Sequence, residues 1–167
     1  MVAIDSGILA CAVNRFVPEH PRAGALIEEL ANGLAPWGIP WSVAHEFVSL
    51  VTHPHGVVRP LAPRDAWGYL ELLRESPALH MLGPTERHGE TVAELLQGLG
   101  GEAGWPAGIE TAAILREHGV REVLSADRGL RRFAFLEVRD PLHGAAWTPH
   151  QGPARRYRKL ALPASRP

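Results

Sequence analysis

Residues 2–13 read VAIDSGILACAV. Val2-Ala3-Ile4 is a short apolar run that ends on an acid, Asp5, and the helical spacing of Ile8, Leu9, Ala12 and Val13 starts immediately afterwards. Such a stretch reads as a buried strand feeding a helix. The pattern returns near the other end, where Glu122-Val123-Leu124-Ser125 reads as a strand and Asp127 lies just beyond it. Between them, Trp37-Gly38-Ile39-Pro40 and Leu79-His80-Met81-Leu82 are further short strand candidates, and Phe135-Leu136-Glu137-Val138 is a last one.

Helical patterns separate these runs. Pro21 to Leu30 carries Ala25, Leu26 and Leu30 at helical spacing before the stop signal Asn32-Gly33. Ser42 reads as the N-cap of a helix through Val43, Phe47, Leu50 and Val51 that ends before Pro54. Pro63 opens another, and Thr85 to Leu96 is amphipathic. Residues 97–104 are too glycine-rich for regular structure, and after Pro106 a helix runs to Gly119. Each return to a parallel strand needs a crossover, so short strands alternating with helices predict a mainly parallel sheet of four to five strands, covered on both faces as α/β/α layers.

Composition narrows the class. A chain of 167 residues with 46% apolar and 21% charged residues fits one globular domain, and no run approaches the roughly 20 apolar residues of a membrane span. Asp5 interrupts the first apolar run, and the basic start of an export signal is missing, so a cytoplasmic setting is expected. Cys11, the only cysteine, excludes an internal disulfide and reads as a core residue. The net charge of −1 conceals two regions: residues 1–143 hold 12 basic and 18 acidic groups, whereas residues 144–167 hold five basic groups and no acid. A domain over 1–142 and a basic, Pro/Gly-rich tail over 143–167 are expected.

Ligands of parallel α/β sheets collect outside the carboxyl ends of the strands. Asp5 and Asp127 lie at two such ends. Glu46 lies mid-helix among Val43, Phe47 and Leu50, where an acid is costly to bury unless paired or liganded. Each has a plain alternative: the aspartates as helix caps, the glutamate as the partner of an arginine. Ser6 and Ser125 either orient the carboxylates or cap. His53-Pro54-His55 lacks a nearby acid and reads as a helix-ending turn.

The order Ile4-Asp5-Ser6, His45-Glu46-Phe47, Ala112-Ala113 with Glu117-His118-Gly119-Val120, then Ser125-Ala126-Asp127-Arg128 and Phe133 resembles the PIN-domain family of VapC-type toxin ribonucleases over roughly residues 1–142. The resemblance implies a PIN fold and an endoribonuclease that hydrolyses RNA phosphodiesters with Mg²⁺ or Mn²⁺. Asp5, Glu46 and Asp127 are the catalytic and metal-ligating residues it implies, with Ser6 and Ser125 in support. It also implies a homodimer and an antitoxin that blocks the acidic pocket.

The match is incomplete. Gly108 stands where the family has its fourth acid, Gly7 where Asn is usual, and Gly129 where a further Asp commonly follows. Neither Glu110, about 200° further round its helix, nor Glu102 on the glycine-rich loop is well placed to substitute. Metal binding is therefore expected to be weak, and the alternative is a catalytically weakened or inactive PIN-fold protein acting as a binding or regulatory module. Arg128, Arg131 and Arg132 after the last acid, and Arg155, Arg156 and Arg158 around Tyr157, are candidate RNA contacts.

Overall fold

A computed structural model describes residues 1–101 and 104–149. Five strands form one sheet: β1 (Val2–Ile4), β2 (Trp37–Pro40), β3 (Leu79–Leu82), β4 (Glu122–Leu124) and β5 (Glu137–Arg139). Their order is β3-β2-β1-β4-β5 and every pairing is parallel. The helices are α1 (Ser6–Val13), α2 (His20–Asn32), α3 (Trp41–Thr52), α4 (Pro63–Arg74), α5 (His88–Gly98) and α6 (Ile109–Glu117), with a single 3₁₀ turn at Gly129–Arg132.

Strand periodicity divides the core in two. Successive side chains on a strand point to opposite faces. Val2, Ile4, Trp37, Ile39 and Leu124 accordingly join one apolar cluster with Leu9, Leu26, Leu30, Phe47 and Leu70 of α1 to α4. Ala3 and Val123 point the other way and join Leu95, Ile109, Ala113 and Leu115 of α5 and α6. The result is a three-layer α/β/α architecture. The larger cluster also includes Leu142 and Trp147, and the Trp147 Nε1–H donates to Glu122 Oε1 at 3.0 Å. Arg22 of α2 donates to the carbonyls of Leu142 and Gly144, so this C-terminal segment is tied to the first helical layer.

Several boundaries differ from the sequence reading, each because a long-range partner outweighs a local signal. Ser42 is not a cap: α3 starts at Trp41 after Pro40, and the Ser42 hydroxyl bonds across to Thr111 of α6 at 2.8 Å. The helix expected from Thr85 starts at His88, because the Glu117 carboxylate takes the Thr85 backbone N–H at 2.5 Å and His88 Nδ1 at 2.6 Å. It then runs to Gly98, into the stretch expected to be loop. The last strand occupies Glu137–Arg139 rather than 135–138, since pairing with β4 sets its register. Cys11 is half-buried, not a core residue.

Candidate active site

The register of β1 against β4 builds the centre of the site. Ile4 lies opposite Leu124, so the residues that follow, Asp5 and Ser125, meet level at the carboxyl edge. Asp5 is the N-cap residue of α1 but makes no side-chain cap bond. Its carboxylate faces the strand ends instead, where the Ser125 hydroxyl donates to Oδ2 at 2.6 Å. The backbone N–H of Asp127 donates to the Ser125 oxygen at 2.9 Å, which commits the buried hydroxyl proton to Asp5. Asp127 is exposed, and its Oδ1 accepts the Gly129 N–H at 2.7 Å, so this acid closes a turn while it borders the site.

Asp5, Glu46 and Asp127 line one cavity of about 220 Å³ with Ser6 and Gly7 of α1, Ala107, Gly108 and Thr111 around the start of α6, and Leu130. Burial is the main cause that lifts the Asp5 carboxyl above the usual aspartate range. Hydrogen bonds from Ser125 and Ser6 oppose this, and the charge of Asp127 adds to it. Glu46 is the more open residue. Loss of solvent and then the charges of Asp5 and Asp127 push it up too, with Ser6 acting the other way. Asp5 therefore feels the charge of Asp127, and Glu46 feels the charges of both Asp5 and Asp127.

That donor set fits a hard cation in its chemistry: carboxylate oxygens and mutual repulsion. It is open rather than a closed cage. No three His, Cys, Asp or Glu side chains among the described residues converge tightly enough to hold a bare ion as they stand. Such a set suits an ion that keeps most of its own waters.

Gly108 borders the cavity at the start of α6. It caps α6 in a left-handed conformation with φ +76°, and a Cβ there would lie 2.7 Å from Leu130 Cδ2. Leu130, buried, occupies the space an acidic side chain at this position would need. Gly7 has room for a side chain, its nearest neighbour being Asp5 Oδ2 at 3.9 Å, whereas a Cβ at Gly129 would press on the Asp127 carboxylate at 3.2 Å.

The other candidates divide. Glu110 is exposed and does not line the cavity. Arg128 is exposed, Arg132 Nε donates to the Gly129 carbonyl, and Arg131 lines a different cavity with Arg139 and Trp147. Arg155, Arg156 and Arg158 lie outside the described residues. His53 and His55 hydrogen-bond within the turn that ends α3. Thr111 and Leu130 were missed by sequence reasoning. Thr111 was discoverable, since it lies three residues beyond Gly108 and so on the same face of α6. A cavity of about 280 Å³ at the C-terminal end of α1, lined by Phe16, Val51 and Arg59 among others, contains no carboxylate.

Comparison with known proteins bears on the family and the fold. No family model matches the chain. It is 35% identical to Ribonuclease VapC43 of Mycobacterium tuberculosis over 144 residues, 86% of this chain and 97% of the relative. Among solved structures it is similar to VapC20 of Mycobacterium tuberculosis, described as a Sarcin-Ricin loop cleaving toxin. There the TM-score is 0.60 and the identity 19%, over 84% of this chain and all of that one. VapBC2 of Rickettsia felis, bound to a DNA fragment from its promoter, matches with TM-score 0.57 and 14% identity over 83% and 98% of the two chains.

Proposed function

The chain belongs to the VapC ribonuclease family, and on that premise we propose that it is a toxin-type endoribonuclease whose chemistry occurs at the cavity lined by Asp5, Glu46 and Asp127. The observation that carries this reading is the meeting of three distant acids in one cavity at the carboxyl edge of a parallel sheet. Asp5 and Asp127 would hold Mg²⁺ or Mn²⁺, with Glu46 as a further ligand or as the base that orients water. When bound, such an ion lowers the pKa of water and offsets charge on the phosphate.

The chain's own groups set the geometry. Ser125 fixes one oxygen of Asp5 and so orients its carboxylate. Glu46 stands at the open side with a carboxyl lifted above the ordinary glutamate range, a property suited to accepting a proton from an attacking water. Because three acids line the cavity among the described residues, affinity for the ion is weak and a single-ion mechanism is favoured over a two-ion one. Leu130 beside Gly108 favours a second reading, a protein that keeps the pocket and its partners while cleaving slowly or not at all.

The remaining roles follow the family. RNA is the substrate, a cognate antitoxin is the inhibitory partner, and the active species is a cytoplasmic homodimer. No described helix is long and apolar enough to cross a membrane. The catalytic domain is residues 1–142 together with the segment through Trp147 that packs on it, followed in sequence by the basic residues of the tail. Mg²⁺ titration and RNA cleavage by the wild type and Asp5→Asn test the assignment. Cleavage and ion binding that both vanish in Asp5→Asn support the nuclease; a wild type that neither binds Mg²⁺ nor cleaves favours the second reading.

A further inference from the structure

Helix α3 presents two adjoining stripes. Ser42 and Glu46, four residues apart, share the stripe that meets the acidic cavity: Glu46 lines it, and Ser42 bonds Thr111, which also lines it. Trp41 and His45, each one residue earlier, form the neighbouring stripe about 100° around the helix. Their rings lie 5.9 Å apart, and Trp67 of α4 stacks on Trp41 with centroids 6.2 Å apart and planes inclined by 19°. Trp67 is 39% exposed and His45 is exposed, so part of this aromatic surface faces solvent beside the acids. Arg64, exposed, stands one turn before Trp67 on α4.

We propose that Trp41, His45 and Trp67 form a stacking shelf for an unpaired nucleobase of the RNA whose phosphate enters the acidic cavity. The inference rests on the nuclease reading above and adds a subsite to it. A large aromatic surface kept partly open to water is costly unless something covers it, and a nucleobase offers a flat face to any such platform. Its place beside the cavity selects the occupant. A strand that brings a phosphate to Glu46 carries its adjacent base over the next stripe of the same helix, and Arg64 supplies a cation for the backbone beyond. Duplex RNA keeps its bases stacked within the helix and cannot use the shelf, so the site selects single-stranded or looped substrates.

The test uses the full chain carrying Asp5→Asn, which blocks cleavage during the measurement, and a short fluorescently labelled single-stranded RNA in Mg²⁺ buffer. A matching strand with abasic ribose serves as control. Trp67→Leu and His45→Ala each weaken binding of the base-bearing strand by about 5- to 150-fold, the range typical of one lost base–aromatic stack. They leave the abasic strand within about twofold, and Trp67→Phe restores most of the loss. An unchanged melting temperature in Trp67→Phe shows that the helix packing survives.

Equal losses on both strands would overturn the shelf, as would unchanged affinity for the base-bearing strand. Loss of self-association with RNA binding intact would assign the surface to a second copy of the chain and also overturn it. If the shelf fails while wild type still cleaves RNA, the nuclease reading stands. If wild type neither binds nor cleaves any RNA, both fall.

Discussion

Replacing Gly108 by Ala isolates the cost of a side chain at the position of the missing acid. The left-handed backbone at φ +76° contributes about 1–2 kcal/mol for a residue with a Cβ. The new Cβ would lie 2.7 Å from Leu130 Cδ2, the tip of a side chain that can swing aside at about 0.5–1.5 kcal/mol for leaving its rotamer. The expected destabilisation is the sum, about 1.5–3.5 kcal/mol, or a fall in melting temperature of about 3–14 °C. Urea unfolding of wild type, Gly108→Ala, Leu130→Ala and the double variant measures both contributions. Leu130→Ala alone removes a buried side chain and costs about 2–5 kcal/mol. In the double variant the contact is gone, so the two losses should add to about 0.5–1.5 kcal/mol less than their sum. A Gly108→Ala protein within about 0.5 kcal/mol of wild type, or strict additivity, would refute this account of the site.

Other outcomes follow from the acids and from the C-terminal segment. Asp5→Asn keeps the acceptor for Ser125 but removes a buried charge, so it should melt higher than wild type at pH 7. Because the folded-state pKa of Asp5 is raised, its stabilising contribution is present at low pH and lost as pH rises; the advantage of Asn should vanish below about pH 4, and parallel melting curves would contradict this. His143 bridges Glu19 and Asp140: a backbone hydrogen bond and then the imidazole hold the Glu19 carboxyl below its usual range, the Asp140 carboxyl is held low against the pull of burial by hydrogen bonds from the His143 backbone and ring, and the two carboxylates hold the imidazole above its usual range. That clamp is strongest from above the carboxylates' lowered values up to about pH 6.5 and weakens as pH rises through the elevated histidine value. His143→Gln should therefore flatten the melting profile on the alkaline side. Trp147→Ala should cost about 3–5 kcal/mol, and ending the chain after Leu142 should destabilise it, as read by thermal melts.

Much of this architecture is legible before any coordinates. Val2-Ala3-Ile4 and Val123-Leu124 are apolar runs too short for helices, and the rule that parallel sheets act at their carboxyl edge singles out Asp5 and Asp127. Glu46 draws notice as an acid costly to bury among Val43, Phe47 and Leu50, but it is exposed, and it is its position on the face of α3 that borders the cavity that ties it to the site. What local sequence conceals are choices settled by distant partners. Ser42 carries the chemistry of a cap, but its hydroxyl is claimed by Thr111, 69 positions away. Thr85 has the look of a helix start until Glu117 takes its N–H. The sequence shows a glycine at position 108; only packing shows that the Leu130 side chain lies where a Cβ there would go. The aromatic shelf is likewise invisible, since Trp41 and Trp67 belong to different helices.

The contact between Gly108 and Leu130 also bears on how this lineage can change. Installing an acid at position 108 by one substitution places a side chain against an occupied neighbour, and trimming that neighbour first opens a void. Either order passes through a destabilised intermediate, so the two positions constrain each other's substitution. A further oxygen donor is then added more readily from somewhere else around the cavity than at position 108.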